Sequence, residues 1–174
     1  EKKMLGKYFP IIMGINADAA TATKQLFDEI RKQKLKLDAT KWTNTYLNER
    51  KKFLINRDKY NLGKNFPIQP KGLFKELRKV LPKNSAITLD AGTLCLQATD
   101  ALEYYDPPSL FTPLDFGLVG FSFACGLGVK LAKPNKTVVS LMGDGGFGMT
   151  ISELSTAVEY KINTITIVMN NKSW

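Results

Sequence analysis

Histidine is absent from all 174 residues. That absence removes Ser-His-Asp and Cys-His nucleophile systems, and His-based zinc sites, from this segment. Cysteine is scarce: Cys95 and Cys125 show no C-x-x-C spacing and read as small buried hydrophobes on helices, in a reducing compartment. Long apolar runs are also missing. The longest are strand length or broken by charge, so nothing has the reach of a membrane span. No signal peptide is visible, and the expected location is the cytoplasm. Internal repeats and low-complexity runs are absent.

Charge is plentiful but uneven. Residues 1–83 carry 20 of the 25 Lys and Arg with 8 of the 16 acids, for +12; residues 84–174 carry the other 5 and 8, for −3. Lys32, Lys36, Lys51 and Lys75 fall among apolar positions on helices or at their ends, the pattern of a solvated helix face. No basic groove interleaved with aromatics appears, so neither nucleic acid nor membrane is an expected partner. A basic patch that attracts an anionic substrate is compatible with this distribution.

The most informative stretch is 138–171. Val138-Val139-Ser140-Leu141-Met142 reads as a buried strand and runs into Gly143-Asp144-Gly145-Gly146; Ser152 to Tyr160 reads as a helix; Thr164 to Met169 reads as a second strand, ending in Asn170-Asn171. This βαβ unit predicts adjacent parallel strands with both clusters at their carboxyl ends, where open α/β sheets bind ligands. The string from Gly143 to Gly148 also satisfies G-x-G-x-x-G, so an NAD-type nucleotide site is the main competitor. Two details oppose it. The next strand ends in two asparagines, where that fingerprint expects an acid. Asp144 also sets a carboxylate where a diphosphate would sit, and the two anions repel unless a cation joins them. A hard ion such as Mg²⁺ suits carboxylate, amide, carbonyl and phosphate oxygens.

Gly-Asp-Gly, a helix of the type E-L-x-T-A and then Asn-Asn resemble the signature of thiamine-diphosphate-dependent enzymes, in the acetolactate synthase-like branch. The resemblance implies that Asp144 and Asn171 are side-chain ligands of Mg²⁺, with the carbonyl of Ser173 as third protein ligand. Gly143, Gly145 and Gly146 would form the turn whose amides meet the diphosphate. Upstream, Phe116-Gly117-Leu118-Val119-Gly120 precedes a small-residue helix, Phe121 to Ala132, and is similar to the segment that holds the aminopyrimidine ring. By that similarity the Gly117 carbonyl accepts from the ring's amino group, Leu118 belongs to the same segment, and Val119 is the wedge that bends the cofactor. Small residues in this helix equally serve close packing on a sheet. A third match, Leu89 to Leu94, implies diphosphate contact through Gly92 and Thr93, although Asp and Gly after a strand are common loop chemistry.

The resemblance implies an α/β fold, a parallel sheet flanked by helices, present here in part and preceded by the end of a central α/β domain. Residues 1–38 read as that end, with a strand over Phe9 to Ile15 and a helix capped by Asp18 carrying Ala22, Leu26, Phe27 and Ile30. Residues 39–69 read as a charged helix, with Trp42, Tyr46, Phe53 and Leu54 toward one side, then a linker. Residues 70–174 read as the cofactor domain, opening with a helix Gly72 to Leu81 and stopping unfinished. No catalytic side chain is expected in this segment. The glutamate that protonates the ring would come from the first domain of a neighbouring subunit, making the assembly a homodimer or a dimer of dimers. The segment alone is expected to be inactive. Glu153 reads as a structural carboxylate.

The substrate implied is a small carbonyl compound, a 2-oxoacid or sulfoacetaldehyde. The stretch Phe116–Phe123, the string Gly146–Met149 and Trp174 are similar to the sulfoacetaldehyde acetyltransferases, which pass a two-carbon unit to phosphate. Condensation of 2-oxoacids with decarboxylation, as in acetolactate synthases, stands second. A cofactor-free relative of the fold stands beside the NAD-type binder as a reading of another class.

Overall fold

The computed structural model describes residues 2–36, 38–57, 59 and 67–173. Trp174, and most of the linker expected to end at residue 69, lie outside them. The chain divides into two units, Glu1–Glu49 and Arg50–Trp174.

In the first unit, helix α1 (Ala19–Lys32) begins where expected. The Asp18 carboxylate accepts from the Thr21 amide at 2.9 Å and from its hydroxyl at 3.1 Å. These bonds hold its carboxyl below the usual carboxylate range. The strand expected over Phe9 to Ile15 is not formed, and the segment is exposed. A strand is stabilised by its neighbours, and among the described residues this unit contains no other strand to pair with it. Helix α2 (Thr40–Arg57), whose last residues belong to the second unit, forms where a charged helix was expected. None of its residues is buried; Trp42 stacks on Tyr46 with ring centroids 5.7 Å apart, and Phe53 is exposed.

In the second unit, period-two alternation assigns the two faces of the sheet. Ile87, Leu89, Val139 and Leu141 point one way, into a core with Phe74 of α3 (Pro70–Val80) and Cys95, Ala98 and Ala101 of α4 (Thr93–Ala101). Ala86 and Val138 point the other way, toward Val129 of α5 (Phe121–Ala132); Met142 packs with Phe123 and Leu127 of the same helix. Strands β1 (Ala86–Leu89), β2 (Leu110–Phe111), β3 (Val138–Gly143) and β4 (Ile165–Met169) form one parallel sheet in the order β2-β1-β3-β4. The expected α/β sheet flanked by helices is therefore present, and β3 and β4 are adjacent and parallel as the βαβ reading requires. β2 was not anticipated, because two residues carry no readable period.

On the α5 side the sheet face is polar where the helix comes closest. Thr88 and Ser140 are paired across β1 and β3. The Thr88 hydroxyl donates to the Ser122 carbonyl at 2.8 Å, and the Ser122 hydroxyl donates to the Thr88 carbonyl at 2.8 Å. A Cβ on Gly126 would lie 2.1 Å from Ser140 Oγ. Gly126 is thus required for packing, whereas Gly128 is exposed and an added Cβ there would meet nothing within 4 Å.

The glycine cluster differs from the free turn expected. Asp144–Thr150 is a short helix, α6, and α7 (Glu153–Glu159) follows it. Glycines alone disfavour a helix. Here Asp144 complements the first-turn amides, and Phe147 packs edge-on against Phe123 with centroids 5.7 Å apart, which offsets that cost.

Candidate cofactor site

The strand order places a topological switch point between β1 and β3. After β1 the chain crosses by α4 to β2 on one side, then returns by α5 to β3 on the other. The crevice beyond the carboxyl ends of two such strands is the ligand site of open α/β sheets. A cleft of about 820 Å³ opens there.

Three edges of the cleft are the ends of strands. β1 delivers Asp90, Ala91, Gly92 and Thr93. Gly92 adopts φ 105°, a conformation that disfavours a side chain, and no side chain caps the helix it starts, so the first amides of α4 keep no partner within the helix. β3 delivers Gly143 and then half-buried Asp144 with Gly145 and Gly146, the opening turn of α6. β4 delivers Asn170, Asn171 and Ser173. Because Gly143 pairs with Met169 across the strands, Asp144 and the asparagines emerge side by side. The Asn171 amide oxygen accepts from the Ser173 amide at 3.1 Å, which folds the tail back and leaves that oxygen a second lone pair.

Of the residues singled out from the sequence, Gly92, Thr93, Val119, Gly143, Asp144, Gly145, Gly146, Asn171 and Ser173 line this one cleft. Gly117 and Leu118 do not. They lie exposed on the loop before α5, Gly117 at φ 71° and Leu118 about half exposed. Gly120, at the helix start, is left-handed at φ 88°, and a Cβ there would meet the Met149 Cβ at 3.1 Å.

One residue was undervalued. Asp90, 2 % exposed, accepts from the amides of Gly120 at 3.0 Å, Phe121 at 2.8 Å and Ser122 at 3.3 Å. It caps α5 from thirty residues away, a relation no local pattern announces. Leu73, Leu94 and Gln97 add a further wall on the α3–α4 side.

Residues 90–174 match the family described as thiamine pyrophosphate enzyme, C-terminal thiamine pyrophosphate binding domain. The chain belongs to the thiamine pyrophosphate enzymes. A sulfoacetaldehyde acetyltransferase from Castellaniella defragrans is 27% identical over 191 aligned residues, covering 100% of this chain and 32% of that protein. An acetolactate synthase large subunit from Buchnera aphidicola subsp. Acyrthosiphon pisum is 31% identical, covering 98% and 28% respectively. Among solved structures, the thiamine diphosphate-dependent 4-hydroxybenzoylformate decarboxylase of Rhodococcus jostii aligns with a TM-score of 0.59 at 26% identity, over 65% of this chain and 21% of that one. The chain spans about a third or less of the length of these curated relatives.

The residues that line this cleft fit a diphosphate held through a metal ion. Around the switch point the side-chain donors are oxygens, the Asp144 carboxylate and the Asn171 amide, with backbone carbonyls beside them. That set suits a hard octahedral cation. Among the described residues no three His, Cys, Asp or Glu side chains cluster to hold a metal ion by themselves, so a cation here would need amide, carbonyl and phosphate oxygens as well. No described helix is long and apolar enough to cross a membrane.

Proposed function

We propose that the full protein is a Mg²⁺-dependent thiamine diphosphate enzyme that transfers a two-carbon unit from sulfoacetaldehyde to phosphate, releasing sulfite. The observation that carries the cofactor half of this reading is the convergence of Asp144 and Asn171 from adjacent strand ends on one cleft with the Gly143–Gly146 turn. When bound, the cofactor supplies the carbon nucleophile that adds to the substrate carbonyl.

The chain's own residues hold and orient it. Asp144, Asn171 and the Ser173 carbonyl hold the cation, which neutralises the diphosphate. Backbone amides of Gly92, Thr93, Gly145 and Gly146 take the phosphate oxygens. Val119, which lines the cleft, orients the aminopyrimidine ring; Gly117 and Leu118, exposed outside the cleft, make no contact with it in this reading. Residues 1–38 are the end of a central domain, residues 39–69 a connecting helix and linker, and residues 70–174 the cofactor domain. The group that protonates the ring comes from a partner subunit, so the working unit is at least a homodimer.

The substrate half rests on similarity over the whole chain to two sulfoacetaldehyde acetyltransferases. A second reading, acetolactate formation from 2-oxoacids, is favoured by the higher identity of the acetolactate synthase subunit, 31% against 27%.

The test is calorimetric titration of the full-length protein with thiamine diphosphate, with Mg²⁺ and then with the metal chelated. Tight binding that vanishes on chelation, and that Asp144→Ala abolishes and Asn171→Ala weakens, is expected. Metal-independent binding, or an Asp144→Ala variant of unchanged affinity, would sink the metal assignment. Release of sulfite from sulfoacetaldehyde in the presence of phosphate then supports the first reaction. Carbon dioxide from pyruvate alone, with no turnover of sulfoacetaldehyde, supports the second.

A further inference from the structure

Asp90 is a buried carboxylate, met by three backbone amides and by no basic side chain among the described residues. Burying an ionised carboxylate is costly unless hydrogen bonds and a favourable field compensate. Here both are supplied by the amino end of α5, a twelve-residue helix. A serine or threonine beside the helix would cap it without burying a charge. The acid reaching in from β1 does more, because it touches a third segment.

That third segment is α6. An ideal Cβ on Gly146 would fall 1.8 Å from Asp90 Oδ2, so the carboxylate occupies the space that the missing side chain leaves. The same oxygen accepts from the Gly120 amide. Asp90 therefore lies between the last residue of the 117–120 loop and the opening turn of α6, and fixes their separation. Gly120 also lies close against Met149 and Thr150, farther along α6, where a Cβ would come within 3.1 and 3.2 Å of their side chains. The α5 amides are consumed by this carboxylate, which leaves anion binding to the turns after β1 and β3.

We propose that Asp90 is a positioning residue of the cofactor site, setting the loop that carries Val119 at a fixed distance from the turn that carries Asp144, Gly145 and Gly146. The inference rests on the thiamine diphosphate reading. If one turn holds the diphosphate and the other the pyrimidine ring, a cofactor spanning both feels their separation, while a ligand that contacts only the diphosphate turn does not. Asp90 itself takes no part in the chemistry.

Binding of two probes to the full-length protein tests this: thiamine diphosphate and inorganic pyrophosphate, each with Mg²⁺. Asp90→Asn keeps the volume and one acceptor oxygen but sets an amide NH₂ against a backbone N–H. It should weaken thiamine diphosphate by roughly ten-fold or more, the factor equivalent to losing one charged hydrogen bond. Pyrophosphate should weaken by less than about three-fold, so that the ratio of the two affinities falls. Asp90→Ala should lower the ratio further; should that variant fail to fold, the asparagine variant decides. Equal weakening of both probes would mean general loosening and would overturn the proposal, as would wild-type affinity for thiamine diphosphate. A wild-type protein that fails to bind thiamine diphosphate at all overturns the functional reading and this inference together.

Discussion

Replacing Gly146 with alanine adds one methyl group inside α6, and two physical effects predict opposite signs for the outcome. Helix propensity favours alanine over glycine by about 1 kcal/mol. Packing opposes it. The new Cβ would lie 1.8 Å from Asp90 Oδ2 and 3.0 Å from its Cγ. Relief requires about 1.2 Å of movement before the closer contact reaches even 3.0 Å, in an interior packed too densely to yield that far freely. Asp90 cannot swing away without lengthening its bond to Gly120, now 3.0 Å, or its bond to Phe121, now 2.8 Å. Overpacking costs about 1–3 kcal/mol, and a lost hydrogen bond to a charged group about 1.5–3 kcal/mol. Subtracting the propensity gain leaves a destabilisation of roughly 1.5–5 kcal/mol. Gly148 is the internal control. It lies in the same helix with nothing within 4 Å of an added Cβ, so Gly148→Ala should be neutral or stabilising by up to about 1 kcal/mol. Urea unfolding without cofactor, followed by circular dichroism, gives the order. A Gly146→Ala variant as stable as wild type would refute the packing argument. Pairing it with Asp90→Ala sharpens the test, since the double variant should cost less than the sum of the singles.

Two further outcomes are expected. Val119→Ala should leave diphosphate affinity within about three-fold while slowing proton exchange at the reactive carbon of the bound cofactor; exchange at the wild-type rate would remove Val119 from its wedge role. Burial pushes the Cys125 thiol up, so it holds its proton to higher pH and should react with a disulfide reagent at pH 8 more slowly than a free thiol. Cys95, 2 % exposed and 3.2 Å from the Thr112 hydroxyl, should react more slowly still. The reverse order would contradict the packing of α4.

What could be read from the chain depended on how local its cause was. The β3–β4 pairing and helix α5 were legible because each is announced by an apolar run bounded by glycine or asparagine. Phe9 to Ile15 has the same apolar character but forms no strand, because pairing is a property of neighbours and not of the segment. α6 was not legible. Three glycines among seven residues read as a turn, and what makes them helical, Phe147 against Phe123, is a contact between elements. The residues that converge on the cleft were found because strand ends at a switch point collect what the sequence writes after each strand.

Asp90 and Asp144 show where that logic ends. Each follows a parallel strand, each has glycine within two residues, and each stands at or just before the start of a helix. Locally they are alike, yet the structure separates them. Asp144 enters the helix that follows its own strand and remains half-buried at the cleft. Asp90 turns across the sheet to the helix of the next crossover and is almost fully buried. The difference is decided by what stands across the switch point. Beside Asp90 lies the amino end of α5, together with a residue in α6 that has no Cβ. A carboxylate with three amides in reach is drawn inward; one at the start of its own helix faces open volume and, on the proposed reading, would be left for a cation. On that reading the same residue type in the same local setting would take two tasks, holding the protein's own backbone at β1 and presenting charge to a ligand at β3. A side chain on Gly146 would disturb the first task directly, and the second only through the position of the turn that Gly146 shares with Asp144.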